Sequence, residues 1–475
     1  MTFPLNKTKI VATIGPASDS PEVLQQLIRA GMNVVRLNFS HGDFSGHAGA
    51  IARVRAAAET AGRRVAIMAD LPGPKMRIGK FIEDPIQLST GEMFTLTTED
   101  VIGTRQRASV SFPELPASVR PGDRLFLNDG YIELSVVRVD GPEVVCRVQL
   151  GGELRSRKGV NLPGIDLGIG AFTEHDRKCL AFALQHGVDA VSQSFVDRAG
   201  DIAAVRAAAA ELGHHPMVIA KIERSGALKR IDEIMDAADG IMVARGDLGV
   251  EIPIEEMAVA QKRLMRLANL KCKPVITATQ MLESMITNRL PTRAEATDVA
   301  NAILDGTDAV MLSGESAMGR HPVESVAMLA KIAAATEPHR SVFGAAWAGE
   351  AMTGDDGIRA EELIAASVEA TLRRITPATV IVPTHGGATA RSIARFKPPT
   401  WITAVSSQEK TCQDLMFSYG VFPVFEAEHP DRWKDWCLRW RDRQQLTGRY
   451  ALLTEGPSRR HPERHHRMEI IDLKS

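Results

Sequence analysis

The chain has 475 residues, long enough for roughly three domains of ordinary size, each with its own apolar core. Hydrophobic residues make up 44%, charged residues 24%, and the formal net charge is -1, which argues against nucleic acid or a membrane as a bulk partner. The 5 cysteines show no CxxC or CxxH spacing, and the N-terminus lacks an apolar leader, so the expectation is a cytoplasmic protein with free thiols and no targeting segment.

The first apolar run, KIVATIG (9–15), leads to Ser20-Pro21, an N-cap followed by proline at the first helical position, and that helix pattern closes at Gly31. NVVRLNF (33–39) and VAIMADL (65–71) follow as strands two and three. Then about a hundred residues separate Leu71 from the next helix start at Thr173, where a βα loop ordinarily takes about 2 to 6. The excess is β in pattern: MFTLTT, ASVSF, RLFLNDGYIEL turning at Asn128-Asp129-Gly130, and VVRVDGPEVVCRV turning at Asp140-Gly141. Residues 72–161 therefore read as a small all-β, barrel-like lid domain set on the third βα loop.

After Thr173, with Glu174 and Asp176 in the first turn and Gly187 past the end, come AVSQSFV (190–196), MVIAKIE (217–223), GIMVARGD (240–247), PVITATQ (274–280) and AVMLSGE (309–315). Eight strands alternating with helices predict an α/β fold, a (β/α)8 TIM barrel over 1–71 and 162–340. A doubly wound open sheet is the alternative, because periodicity cannot prove closure. The Gly-rich stretch 341–357 reads as a junction to a C-terminal α/β regulatory or oligomerisation domain, 341–475. There the pattern restarts with a helix near 359–375, TVIVPT, a helix through ATARSIARF, WITAVSS, a helix ending at Gly420, and VFPVF. The Trp-rich DRWKDWCLRW, YALLT and MEIIDL complete it.

Polar residues gather at the C-terminal ends of the barrel strands, where barrel enzymes build active sites. Arg36, Asn38 and Ser40 share one side of strand two if it stays extended; Asp70 ends strand three, Lys221 and Glu223 strand five, Arg245 and Asp247 strand six. Thr279 and Gln280 end strand seven, Ser313 and Glu315 strand eight. A lone charge at a strand end is usually a cap or a satisfied ion pair, but here strand after strand carries one. Glu223 and Asp247 on sequential strands suit one divalent ion such as magnesium. Lys221 faces the same way, placed to complement charge on a phosphoryl group or an enolate oxygen, although a plain ion pair fits the spacing equally. Bare backbone N–H groups at Gly246 and Gly249 suit a carboxylate or phosphate, and no P-loop sequence exists.

These stretches, with TKIVATIGPAS (8–18), GMNVVRLNFSHG (31–42), GPKMRIG (73–79), SRKGVNLPG (156–164), KIERSGAL (221–228), DGIMVARGDLGVEIP (239–253) and PTRAEATDVANAILDGTDAVMLSGES (291–316), resemble the pyruvate kinase family, less closely in the C-terminal third. The resemblance implies phosphoryl transfer from phosphoenolpyruvate to ADP, giving ATP and pyruvate, the last step of glycolysis, with Mg2+ or Mn2+ as cofactor. It implies Lys221 as the transition-state lysine, Glu223 and Asp247 as the metal ligands, and Arg36, Lys221, Gly246, Asp247 and Thr279 as substrate contacts. Asn38, Phe39, Ser40, His41, Arg77, Asp129 and Lys158 would serve the nucleotide. An aldolase-type lyase and a non-catalytic relative compete with this reading; the lid argues against the first, and the intact Lys221, Glu223 and Asp247 against the second.

Two departures stand out. Members that need potassium hold it with residues matching Asn38, Ser40, Asp70 and the Leu71 carbonyl, and carry glutamate where this chain has Lys75. A lysine there resembles the potassium-independent group, its ammonium standing in for the monovalent cation. The C-terminal loop THGGATA (384–390) keeps only some of the Ser/Thr-rich phosphate cradle of sugar-phosphate-activated members. SRRHPERHHR (458–467), with four arginines and three histidines, suits an anionic effector or a solvated loop equally. The family also implies a homotetramer.

Overall fold

A computed structural model describes residues 3–165, 168–340, 359–457 and 465–474. The expected junction at 341–357 and most of the 458–467 cluster lie outside the described residues.

Eight parallel strands close into a barrel: Lys9–Thr13, Val34–Asn38, Ala66–Leu71, Ala190–Gln193, Met217–Ile222, Gly240–Ala244, Val275–Ala278 and Ala309–Leu312. Each pairs with the next, and Lys9 pairs with Ala309 to complete the ring, which removes the open-sheet alternative. The strands read as continuous apolar runs because one face packs inside the barrel and the other against the helices. Val11, Met68, Ile219, Met242 and Met311 belong to the interior cluster, and Met416 and Phe417 of the C-terminal domain join it. Burying those two side chains contributes about 1.5–3 kcal/mol each, so the C-terminal domain is part of the barrel's packing.

The helix signals operate as expected. Ser20 accepts from the Val23 N–H at 3.3 Å at the start of helix Pro21–Ala30, and Gly31 takes φ 124 at its end. Thr173 and Asp176 form a reciprocal capping box on helix Glu174–Gln185.

The chain leaves the barrel after Leu71 and builds a six-stranded sheet in the order Val160–Asn161, Arg124–Leu127, Ile132–Asp140, Glu143–Leu150, Met93–Thr97, Arg107–Ser109. A two-stranded pair, Ile86–Leu88 with Gly152–Leu154, sits beside it, and Phe94, Leu96, Leu125 and Leu134 anchor a core separate from the barrel's. In the hairpin turn Asn128 and Asp129 both take positive φ, 54 and 57. A Cβ on Gly130 would lie 3.4 Å from Val250, so this tip reaches the short helix Arg245–Glu251 that follows barrel strand six.

The C-terminal domain holds a five-stranded sheet ordered Val421–Phe425, Ile402–Ser406, Val380–Pro383, Tyr450–Glu455, Arg467–Asp472, the last strand antiparallel. Trp433, Trp436 and Trp440 of helix Trp433–Gln444 line a second core cluster with Phe3 packed against it, so the N-terminal segment straps this domain to the barrel.

Candidate active site

Four charged side chains lock together at the C-terminal ends of strands two, three and five. Arg36 donates to the Asp70 Oδ2 through Nε (2.8 Å) and Nη2 (2.5 Å), and its Nη1 donates to the Thr13 hydroxyl at 3.0 Å. Lys221 Nζ lies 3.3 Å from Asp70 Oδ1 and 2.9 Å from Glu223 Oε1. Ser192 donates to Asp70 Oδ1 at 2.7 Å, and Lys221 donates to Ser194 at 2.6 Å. All are buried.

Burial alone would push the Asp70 carboxyl up, but Lys221 and Arg36 beside it, with the Ser192 hydroxyl, hold it below the usual carboxylate range. Lys221 is the mirror case: burial would lower it, yet Asp70 and then Glu223 raise it above its ordinary value, so it stands as an ammonium. Burial pushes Glu223 up, and Asp247 pushes it the same way against the pull of Lys221. Two neighbouring carboxylates that repel one another favour a cation between them.

Asp247 opens the short helix Arg245–Glu251 and lies 4.0 Å from Lys75 Nζ, across the cleft between barrel and insert. Pro74, Lys75, Asn161, Arg224 and Glu251 also line this cleft. Thr279 takes φ 69, a costly conformation for a β-branched residue. It is held there by Arg245, whose Nη2 donates to the Thr279 carbonyl at 2.8 Å while Nη1 pairs with Asp298 at 2.7 Å.

The residues expected to serve a nucleotide fall on both walls. Burial and then the charges of Arg77, Lys75 and Arg36 hold His41 below its ordinary value, which places His41 among those cations. Arg77 pairs across from Gly159, next to Lys158, and donates to the Arg157 carbonyl at 3.0 Å. Phe39 is buried and stacks on His47 at 4.3 Å, and the Leu71 side chain is buried in the barrel wall. Asp129 is exposed at the insert's tip.

Some expectations change. Strand two stops at Asn38 and Ser40 lies in the following turn, its N–H bonded to the Asn38 Oδ1 at 3.1 Å, so Ser40 does not share the strand face with Arg36. The Gly246 N–H is not bare: it donates to the Thr279 hydroxyl at 2.7 Å. Glu315 is a structural carboxylate, accepting from the Leu282 and Ser313 N–H groups at 3.1 and 2.8 Å. Strand four stops at Gln193, because the chain turns at Phe195 (φ 58) and sends its N–H to Glu223 at 2.7 Å. Sequence reasoning missed Thr13, Ser192 and Ser194; their position at strand ends next to the charged set was the available signal.

An eight-stranded barrel with cations and carboxylates converging at its catalytic face, under an inserted β domain, defines a barrel enzyme for anionic substrates. Comparison with known proteins narrows the class. Residues 5–326 match the family described as pyruvate kinase, barrel domain, and residues 362–450 match pyruvate kinase, alpha/beta domain. A pyruvate kinase of Thermococcus litoralis is 51% identical over 90% of this chain and 90% of its own length. The human pyruvate kinase PKLR is 44% identical over 90% of this chain and 77% of its own. The crystal structure of a pyruvate kinase from Cryptosporidium parvum superposes with a TM-score of 0.91 at 34% identity, covering 99% of this chain and 96% of that one. The chain belongs to the pyruvate kinase family and is a phosphotransferase. Among the described residues no helix is long and apolar enough to cross a membrane.

Proposed function

We propose that this chain transfers the phosphoryl group of phosphoenolpyruvate to ADP, giving ATP and pyruvate. The observation that supports it is the buried clamp of Arg36 and Lys221 on Asp70, with Glu223 alongside. Glu223 and Asp247 are hard oxygen donors of the kind a magnesium or manganese ion takes, and the bound ion would offset charge on the substrate's oxygens. Lys221 meets the charge spread over the transferring group, and Arg36 orients the phosphate from the other side. Asp247 and the Gly246 backbone border the substrate carboxylate. Thr279, directly or through a water, is assigned protonation of the enolate carbon; its hydroxyl donates to the Ala278 carbonyl at 2.6 Å, ready to be redirected.

In this reading Asn38, Phe39, Ser40, His41, Arg77 and Lys158 hold the nucleotide, and Asp129 closes the mouth of the cleft. Residues 1–71 with 162–340 form the catalytic unit and 72–161 the lid, which excludes water from the transferring group. The part from 341 to 475 serves regulation and assembly, as a cytoplasmic homotetramer under a sugar-phosphate effector.

Potassium is not required in this reading. The Asp70 oxygens are already engaged by Arg36, Ser192 and Lys221, and Lys75 brings a fixed ammonium to the cleft. Assayed in potassium-free buffer, the enzyme is expected to keep most of its activity. Lys75→Glu should lose about tenfold without potassium and recover when it is added, because a carboxylate there restores a site for a monovalent cation. Collapse of wild-type activity in potassium-free buffer would contradict the assignment.

A further inference from the structure

At the opposite end of the barrel, three cations stand together without an ion-pair partner, the carboxylates of Asp414 and Asp239 acting on Arg391 from beyond pairing distance. Lys273 precedes barrel strand seven, while Arg391 and Arg395 lie on and just after helix Ala388–Ala394 of the C-terminal domain. With Asn269, Cys272 and Ser418 they line a narrow cleft open to solvent.

Among the described residues none of the three cations makes an ion pair. Lys273 donates to the Ala238 carbonyl at 2.7 Å and Arg391 to the Gly386 carbonyl at 2.7 Å. Arg395 reaches only the Leu270 carbonyl and the Cys272 sulfur, both at 3.5 Å. Its buried Nε and the Ser418 hydroxyl, on a residue 1% exposed, have no hydrogen-bond partner. Asp308, also in the lining, is already used by Lys397 at 2.7 Å and by the Val275 and Tyr419 N–H groups at 3.1 and 2.9 Å. Burial and then repulsion from Arg391 hold Lys273 below its ordinary value, while Asp239 pulls against them without forming an ion pair. A buried guanidinium Nε and a buried hydroxyl with no acceptor, beside two further cations held only by carbonyls, call for an ion that supplies one.

We propose that this cleft binds a phosphate group, as inorganic phosphate or a small phosphate monoester, between Lys273 of the barrel and Arg391 and Arg395 of the C-terminal domain. Guanidinium forks match phosphate oxygens bidentately, and Ser418 completes the donor set. Because the donors come from two domains, occupancy ties one to the other.

Cys272 provides a local reporter, since its thiol is half-buried in the cleft and Cys146, Cys179, Cys412 and Cys437 are buried. Alkylation of Cys272 by iodoacetamide, followed by peptide mass spectrometry on the intact enzyme, reads occupancy of this cleft and not of the active site. Inorganic phosphate at ten times its Kd should slow the reaction about tenfold, with chloride at matched ionic strength without effect. Glycerol 3-phosphate forms the second arm: protection at lower concentration than phosphate assigns the cleft to a monoester, and the reverse order to the free anion. Arg395→Gln and Lys273→Gln should each abolish protection while leaving turnover unchanged. Absence of phosphate-specific protection, or protection that survives in both variants, would overturn the proposal.

Discussion

Lys221→Met is expected to lower kcat by about 10³-fold or more while the barrel remains folded, because the ammonium proposed to meet the transferring charge is lost. Lys221 has three polar partners, Asp70, Glu223 and Ser194, at 3.3, 2.9 and 2.6 Å, so it arrives at the reaction already oriented. The methionine keeps the length of the side chain, and circular dichroism with a thermal scan separates loss of chemistry from loss of fold. A variant that retains a tenth of the wild-type kcat would remove Lys221 from the centre of the mechanism.

Asp70→Asn should cost both stability and rate. The carboxylate is 2% exposed and shared by Arg36 and Lys221; an amide in its place leaves Arg36 buried without its anion and Lys221 with Glu223 alone. Breaking such a buried set costs on the order of 3–5 kcal/mol, and loosening both cations should lower kcat by about 10²-fold. The pH dependence has a defined sign. Asp70 is held below its unfolded value, so its contribution is full above about pH 4 and is lost as pH falls through the folded value. Urea midpoints of wild type and variant should therefore lie far apart at neutral pH and converge in acid. Equal midpoints at neutral pH would show that Asp70 does not bind the clamp together.

Much of this was legible in the chain. Barrel strands buried on both faces read as continuous apolar runs, and their polar ends, Arg36, Asp70, Lys221, Glu223 and Asp247, come together at one end of the barrel. The overlong third loop announced the insert. What stayed hidden depends on closure or on small groups. Ser192 meets Asp70 across 122 residues of sequence, and a hydroxyl at a strand end carries no charge signal. The positive φ of Thr279 is imposed by tertiary contacts, since a β-branched residue does not favour it locally, whereas the turn that takes Ser40 off its strand is local, the Asn38 side chain accepting from the Ser40 N–H. Short edge strands such as Ile86–Leu88 lack the length for a period to show. Met416 and Phe417, read as part of a helix of the C-terminal domain, join the barrel core only because the two domains dock.

The most direct test of the account is product formation from phosphoenolpyruvate, ADP and magnesium with no added monovalent cation. ATP and pyruvate are expected in equal amounts, catalytically renewed by the wild-type chain and absent with Lys221→Met. Pyruvate without ATP, or no turnover by the wild-type chain, would contradict it.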